Sequence, residues 1–214
     1  MTDSVEPQAV SAAPATGAAA TRAAAVGRAR GQGKRQRLVD AACQVFYANG
    51  VERTTLADVA AAAGIPLGNV YYYFKTKNDL IRAVVEARLG EARAMLAWVE
   101  AAQDNPLGRL KALFAAFAGQ SEEIARYGCP QGSLCAELDK LPGGPGSAAD
   151  LMRIPVDWAE RQFRALGRDD ARDLAIEVIA RYQGSALLSS TLRDPDLLTR
   201  ESARVAAWLD TIGG

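Results

Sequence analysis

Apolar residues recur at helical spacing along most of this chain and almost nowhere alternate as strands require. Leu38, Ala41, Ala42, Val45 and Phe46 fall at i, i+3, i+4, i+7 and i+8, which predicts a helix over residues 34–49, closed by Gly50, with those five as its core face. A second, short helix follows: Leu56, Val59, Ala60 and Ala63 share one face. Thr55 stands at its start, with Asp58 placed to complete a capping box. Gly64 breaks it where a left-handed turn residue is needed, and Pro66 opens the next element with its φ already set. The element after Pro66 has about two turns, too few to stand without packing. Thr76 and Asp79 repeat the capping arrangement. Leu80, Ile81, Val84, Val85 and Leu89 then give the inner face of a helix running on to about residue 99.

Beyond Asn105-Pro106, helices are predicted over 107–127, 133–140, 147–166 with a bend at Pro155, 168–192 and 196–212. A turn over 128–132 and a proline- and glycine-rich flexible loop over 141–146 separate them. There is no internal repeat. The predicted class is all-α, with about nine helices: an N-terminal three-helix helix-turn-helix head at 33–80 and a larger helical body at 81–214 for ligand binding and dimerisation. Residues 1–32, rich in Ala, Gly, Pro and Ser, read as a disordered arm. Two readings of it stay open. It is an inert tail, or its arginines with Lys34, Arg35 and Arg37 add phosphate or minor-groove contacts.

The short helix after Pro66 is the most informative segment. It carries Gly68, Asn69, Tyr71, Tyr72, Tyr73 and Lys75. Three consecutive tyrosines point in three directions and their hydroxyls need partners, so a core helix is a poor setting for them. A helix lying in a DNA groove suits them, because phenols reach phosphates and bases and a glycine allows close approach. The pattern Thr54-Thr55, Asp58, Ala60, Ala63-Gly64, Gly68, Val70-Tyr71, Phe74, Lys77 and Leu80 resembles the DNA-binding domain of the TetR/AcrR family of bacterial transcriptional repressors. Pro66 stands where members usually carry Ser or Thr, so a side-chain cap on the recognition helix is lost. The resemblance implies phosphate contacts from Tyr71, Tyr73 and Lys77, and base-facing positions at Leu67, Gly68, Asn69 and Tyr72. Thr55, with the amides at its helix start, is expected to hold a phosphate. Asn69 has amide chemistry suited to adenine and Leu67 fits a thymine methyl. Val70 and Phe74 are expected to pack.

Charge sharpens this picture. Residues 21–83 hold ten basic against four acidic residues, whereas the chain as a whole is neutral. A basic head on an acidic body fits a protein whose head alone meets a polyanion. Asp3 and Glu6, and an alanine-rich run broken by Pro14, Gly17, Thr21 and Arg22, make a secretion signal unexpected. No apolar run approaches the length needed to span a bilayer, and three cysteines form no disulfide framework. The expected setting is the cytoplasm, away from membranes. The chain has no histidine, which excludes a Ser-His-Asp triad, a Cys-His dyad and His-bound metal. No phosphate-binding glycine loop is present. Neither enzyme activity nor a cofactor or metal is expected.

In the body, aromatic and sulfur side chains are dense. Trp98, Phe114, Phe117, Tyr127, Cys129, Trp158 and Tyr182 are candidates to line a pocket for a hydrophobic or aromatic small molecule. The last two helices are apolar on more than one side, and Gly184 permits close approach of a partner helix. Ile179, Gly184, Leu187, Leu188 and Trp208 are therefore expected in a homodimer interface; in the family resembled, the equivalent helices form a four-helix bundle with their symmetry mates. The expected function is a dimeric repressor that binds a palindromic site on double-stranded DNA. A small hydrophobic ligand releases it by moving the helix over 77–99. The segment YGCPQGSLC resembles one found with LmrA/YxaF-like C-terminal domains, where Gly-Cys-Pro is a structural turn. Cys129 and Cys135 are a buried structural pair or a thiol sensor of oxidants and electrophiles. A DNA-binding protein without any effector is the third reading.

Overall fold

The computed structural model describes the backbone of residues 16–141 and 148–212 and the side chains of residues 33–141 and 149–212. Among the described residues there are ten helices and no strands: α1 (Thr16–Asn49), α2 (Leu56–Ala63), α3 (Leu67–Tyr73), α4 (Lys77–Ala102), α5 (Pro106–Ala118), α6 (Ser121–Tyr127), α7 (Pro130–Leu138), α8 (Ala148–Ala165), α9 (Ala171–Leu192) and α10 (Pro195–Ile212). The all-α expectation stands. Residues 1–15 of the expected arm, and residues 142–146 of the glycine- and proline-rich loop, lie outside the described residues.

Three elements differ from their predicted extents, each for a local reason. α1 begins at Thr16, within the stretch read as a disordered arm. Alanine has the highest helix propensity of any residue, and the runs at 18–20 and 23–25 favour helix where a purely compositional reading favours disorder. The helix expected over 107–127 is two helices, α5 and α6. The α5 cap is Gly119, whose N–H donates to the Ala115 carbonyl, while the N–H of Gln120, the residue that opens α6, donates to the Phe117 carbonyl. α7 starts three residues early because Pro130 takes the first helical position and the Cys129 side chain accepts the Gly132 N–H as an N-cap.

The helix-turn-helix forms as its punctuation dictates. Thr55 and Asp58 make both bonds of a capping box on α2, and Gly64 ends it at φ 61°, ψ 37°. α3 lacks a side-chain cap, as Pro66 requires. Thr76 and Asp79 form the second capping box, on α4. These bonds hold both aspartates below the ordinary carboxylate pKa: backbone and side-chain bonds from Thr55 act on Asp58, and side-chain and backbone bonds from Thr76 on Asp79. A depressed folded pKa contributes stability above the unfolded value of about 3.9 and loses it as pH falls through the folded value. Paired Asp58→Asn and Asp79→Asn substitutions are expected to shrink the stability difference between pH 7 and pH 3. Urea unfolding of the variant and the wild type at the two pH values checks this.

α1 buries Leu38, Val39, Ala41, Ala42, Cys43 and Phe46, while Val45 is only half-buried. They form one core with Val59, Val70, Phe74 and the first half of α4, closed by Leu134 and Leu138 of α7 and Leu151 of α8. A second core joins the far half of α4 to α5, α6, α8, α9 and α10. α4 therefore belongs to both, as its apolar pattern predicts. Two polar ties fasten α7 and its preceding turn to α1 and the turn that follows it: Tyr47 donates to the Gly128 carbonyl, and the Glu137 carboxylate accepts the Val51 N–H.

Candidate DNA-binding surface and effector cavity

α3 is short enough that its orientation is set by what it buries. Val70 and Phe74 point into the core, as expected of them. The opposite side is left to solvent: Leu67 is 40% exposed, Tyr71 48% and Tyr72 74%. Gly68 is exposed beside them, and a Cβ placed there would meet nothing within 4 Å. No packing within the described residues accounts for this glycine. Asn69 and Tyr73 are half-buried, with Tyr73 meeting Tyr72 edge-on at 4.9 Å between ring centroids. Of the base-facing set expected from sequence, Leu67, Gly68 and Tyr72 are exposed, as is Tyr71, and Asn69 is half-buried.

The phosphate set is more mixed. Lys77 opens α4, but its ammonium donates to the Glu52 carbonyl at 3.0 Å, which occupies one of its three donors. The Thr55 hydroxyl donates to Asp58 Oδ2 at 2.7 Å and accepts the Asp58 N–H at 3.2 Å. That hydroxyl is committed to the cap, so any anion there would rely on the unbonded amides of the first turn of α2. Lys34 and Arg35 are exposed on α1.

In the body, a small cavity of about 30 Å³ lies among α4, α5, α7, α8 and α9. Its wall is apolar apart from Gln131, Gln183 and Tyr182, and none of its residues is charged. Of the pocket residues named from sequence, Phe117 and Tyr182 reach it, stacked at 3.8 Å between centroids. Phe114 is core beside them, edge-on to both rings. Tyr127 and Cys129 line a separate surface groove of about 370 Å³ with Gly132, Ala136, Gln183 and Leu187. Trp158 is buried, donates to Glu100 at 2.8 Å, and borders a charged groove instead. Trp98 is 60% exposed on α4 and does not line this cavity. Sequence reasoning missed Gln131, Gln183 and Met95. The one signal was Gln183, an amide set among the apolar residues of α9.

Cys129 sits between cavity and groove. Its Sγ accepts the Gly132 N–H and the Gln183 Nε2 donor, each at 3.4 Å, and its thiol donates to Gln131 Oε1 at 3.6 Å. Cys43 and Cys135 are pushed up to about 11, each chiefly by burial. Burial also raises Tyr182 well above an ordinary phenol, so it stays protonated.

On α9, Ala175, Val178, Ile179, Tyr182 and Ala186 face inward, whereas Ile176, Ala180, Gly184, Leu187, Leu188 and Leu192 face solvent. Ile179, expected at a dimer interface, instead lines the cavity; Ile176, three residues earlier, holds the exposed position. The helical register explains this, since residue 179 shares a face with 175, 182 and 186. Trp208 is half-buried beneath the Arg181 guanidinium, 4.4 Å from its ring centre.

An uncapped short helix with Tyr71 and Tyr72 outward, set by a glycine turn, fits a helix-turn-helix DNA-binding protein with a helical body. The family model "Bacterial regulatory proteins, tetR family" matches residues 38–84, which span this element. The chain is 36% identical over 192 residues to the HTH-type transcriptional regulator TtgR of Pseudomonas putida, covering 84% of this chain and 90% of that one. It is 29% identical over 164 residues to the HTH-type transcriptional repressor DhaR of a Mycobacterium species, covering 72% and 80%. The fold matches a TetR-family transcriptional regulator from Agrobacterium tumefaciens with a TM-score of 0.75 at 21% identity, covering 83% and 97%. SCO4454 from Streptomyces coelicolor matches at 0.72 and 19%, covering 84% and 94%. This chain belongs to the TetR family of bacterial regulatory proteins, and its role is transcriptional regulation through DNA binding. Among the described residues, no helix is long and apolar enough to cross a membrane.

Proposed function

We infer that this protein is a cytoplasmic homodimeric repressor, holding a two-fold symmetric DNA site through α3 and released by an uncharged, apolar small molecule in the body. One observation carries the ligand control. α4 places Leu80, Ile81, Val84 and Val85 in the head core and Ala92, Met95 and Leu96 in the cavity wall. At 1.5 Å per residue, the 26-residue helix is a rod of about 39 Å. A change in the cavity wall therefore has a rigid element through which to move the head. A ligand shifts the equilibrium only by its differential affinity for the two head spacings. The uncharged wall selects against ions, because burying an unpaired charge there is costly.

A thermal-shift screen of neutral and charged aromatic compounds tests the ligand class. Neutral compounds are expected to stabilise the protein saturably, by about 2.7 kcal/mol at a hundredfold excess over Kd, and to release DNA. Charged analogues are expected to do neither. Stabilisation by charged compounds alone would contradict the assignment.

The thiol-sensing alternative receives less support. Cys129 is buried and all its bonding capacity is used, while burial keeps Cys43 and Cys135 protonated. Native-state alkylation by iodoacetamide at pH 7.5 is expected to be at least about tenfold slower at all three than at a free thiol. Peptide mass analysis reads each site, and fast labelling at Cys129 coupled to loss of DNA binding would reinstate the sensor. The cap geometry also bears on Cys129→Ser: serine is a favoured N-cap, and the bonds made by sulfur leave its hydroxyl partners. That variant is expected to be more stable than Cys129→Ala, which loses the cap at about 1 kcal/mol.

A further inference from the structure

The cavity of about 30 Å³ has room for about one water, far below the 300–1,000 Å³ of small-molecule sites. Gln183 lines both this cavity and the groove of about 370 Å³ between α6, α7 and α9. We propose that Gln183 is a gate, and that the effector enters through this groove and occupies groove and cavity as one site. The proposal rests on the ligand-controlled reading above.

The gate has a latch and a space reserved for it. Cys129 Sγ accepts the Gln183 amide donor at 3.4 Å, a weak bond that a ligand can replace. A Cβ on Gly132 would stand 2.5 Å from Gln183 Oε1, so only glycine at that position leaves the amide where it closes the wall. The side chain of Gln183 is flexible, and swinging it aside leaves the apolar cavity open to the groove. The chemistry of the joined site defines its ligand. Ala136 and Gly132 of α7 meet the outer part, and Phe117 stacked on Tyr182 meets the inner part. The amides of Gln131 and Gln183 with the protonated Tyr182 phenol in the inner part, and the hydroxyls of Ser133, Ser190 and Tyr127 in the groove, are the hydrogen-bonding groups. A neutral aromatic molecule with one or two hydrogen-bonding atoms fits; an anion finds no charged partner.

Two probes of one skeleton test this: N-phenyl-1-naphthylamine, which is neutral, and 8-anilino-1-naphthalenesulfonate, which adds an anion. The full-length protein is expected to bind the neutral probe saturably, at one site per chain, and the sulfonate at least about tenfold more weakly. Gly132→Ala displaces the gate and is expected to speed association of the neutral probe about tenfold in stopped flow. Ala136→Trp fills the groove from an exposed position and is expected to slow it about tenfold, with unchanged circular dichroism. Unchanged rates in both variants, with binding intact, overturn the gate but leave the effector cavity standing. Absence of saturable binding to wild type and Gly132→Ala alike overturns the cavity reading too. Should Ala136→Trp split a dimer while probe kinetics stay the same, the groove belongs to a second copy and the proposal fails.

Discussion

Leu188→Asp is expected to convert the protein from dimer to monomer at micromolar concentration and to weaken specific DNA binding at least about a hundredfold. The exposed stripe of α9 contains Ile176, Gly184, Leu187, Leu188 and Leu192, with Leu187 64% and Leu188 52% exposed. Water contact along such a stripe on one helix is unfavourable at about 25 cal/mol per Å², and pairing with a second copy of the same face would remove it. A carboxylate at residue 188 would then be buried without a partner. Gly184→Leu is the sharper version. Gly184 is exposed and a Cβ there meets nothing within 4 Å in the protomer, so the substitution introduces no Cβ clash in the variant's own fold. Any loss of assembly it causes must arise at the partner contact. Sedimentation velocity and circular dichroism separate these effects. A wild-type protein that sediments as a monomer at micromolar concentration contradicts the dimer.

The second large effect is expected on α3. Tyr72→Ala and Asn69→Ala are expected to weaken binding to the preferred DNA site by about 1–3 kcal/mol each and to change which sequence is preferred. Tyr72 is 74% exposed, so its removal should leave thermal stability nearly unchanged. Lys77→Ala is expected to behave differently. It should weaken specific and random DNA alike and flatten the salt slope by about one unit. Because the Lys77 ammonium also bonds the Glu52 carbonyl, a small loss of stability should accompany it. Fluorescence anisotropy across a salt series distinguishes base reading from phosphate contact. Equal, sequence-blind losses from all three variants would remove α3 from the base-reading role.

The parts of this fold legible in the sequence are those fixed by local chemistry. The capping boxes at Thr55 and Thr76, the turn at Gly64 and the uncapped start at Pro66 all form where the residue types place them. What escaped sequence reading depends on neighbours distant along the chain. α9 is apolar on two sides, and periodicity alone cannot say which side meets its own body; packing turned Ile179 inward and Ile176 outward. Trp98 reads as a pocket residue by type, yet α4 turns it to solvent. Only the meeting of α7 with α9 brings Gln131 and Gln183 to one cavity. The division into α5 and α6 was missed because Gly119-Gln120 contains no proline to announce it. By sequence Cys129 reads as a reactive thiol or as packing. Its place as the α7 cap shows a third use, visible only once Gly132 and Gln183 lie beside it.

Selection of DNA from a random library by the full-length protein tests the central claim most directly. The account predicts enrichment of a two-fold symmetric site whose half-sites are centred about one helical turn, or roughly 34 Å, apart, and a changed half-site when Asn69→Ala protein is used. Enrichment of no sequence, or of a lone half-site that Asn69→Ala selects equally well, would contradict it.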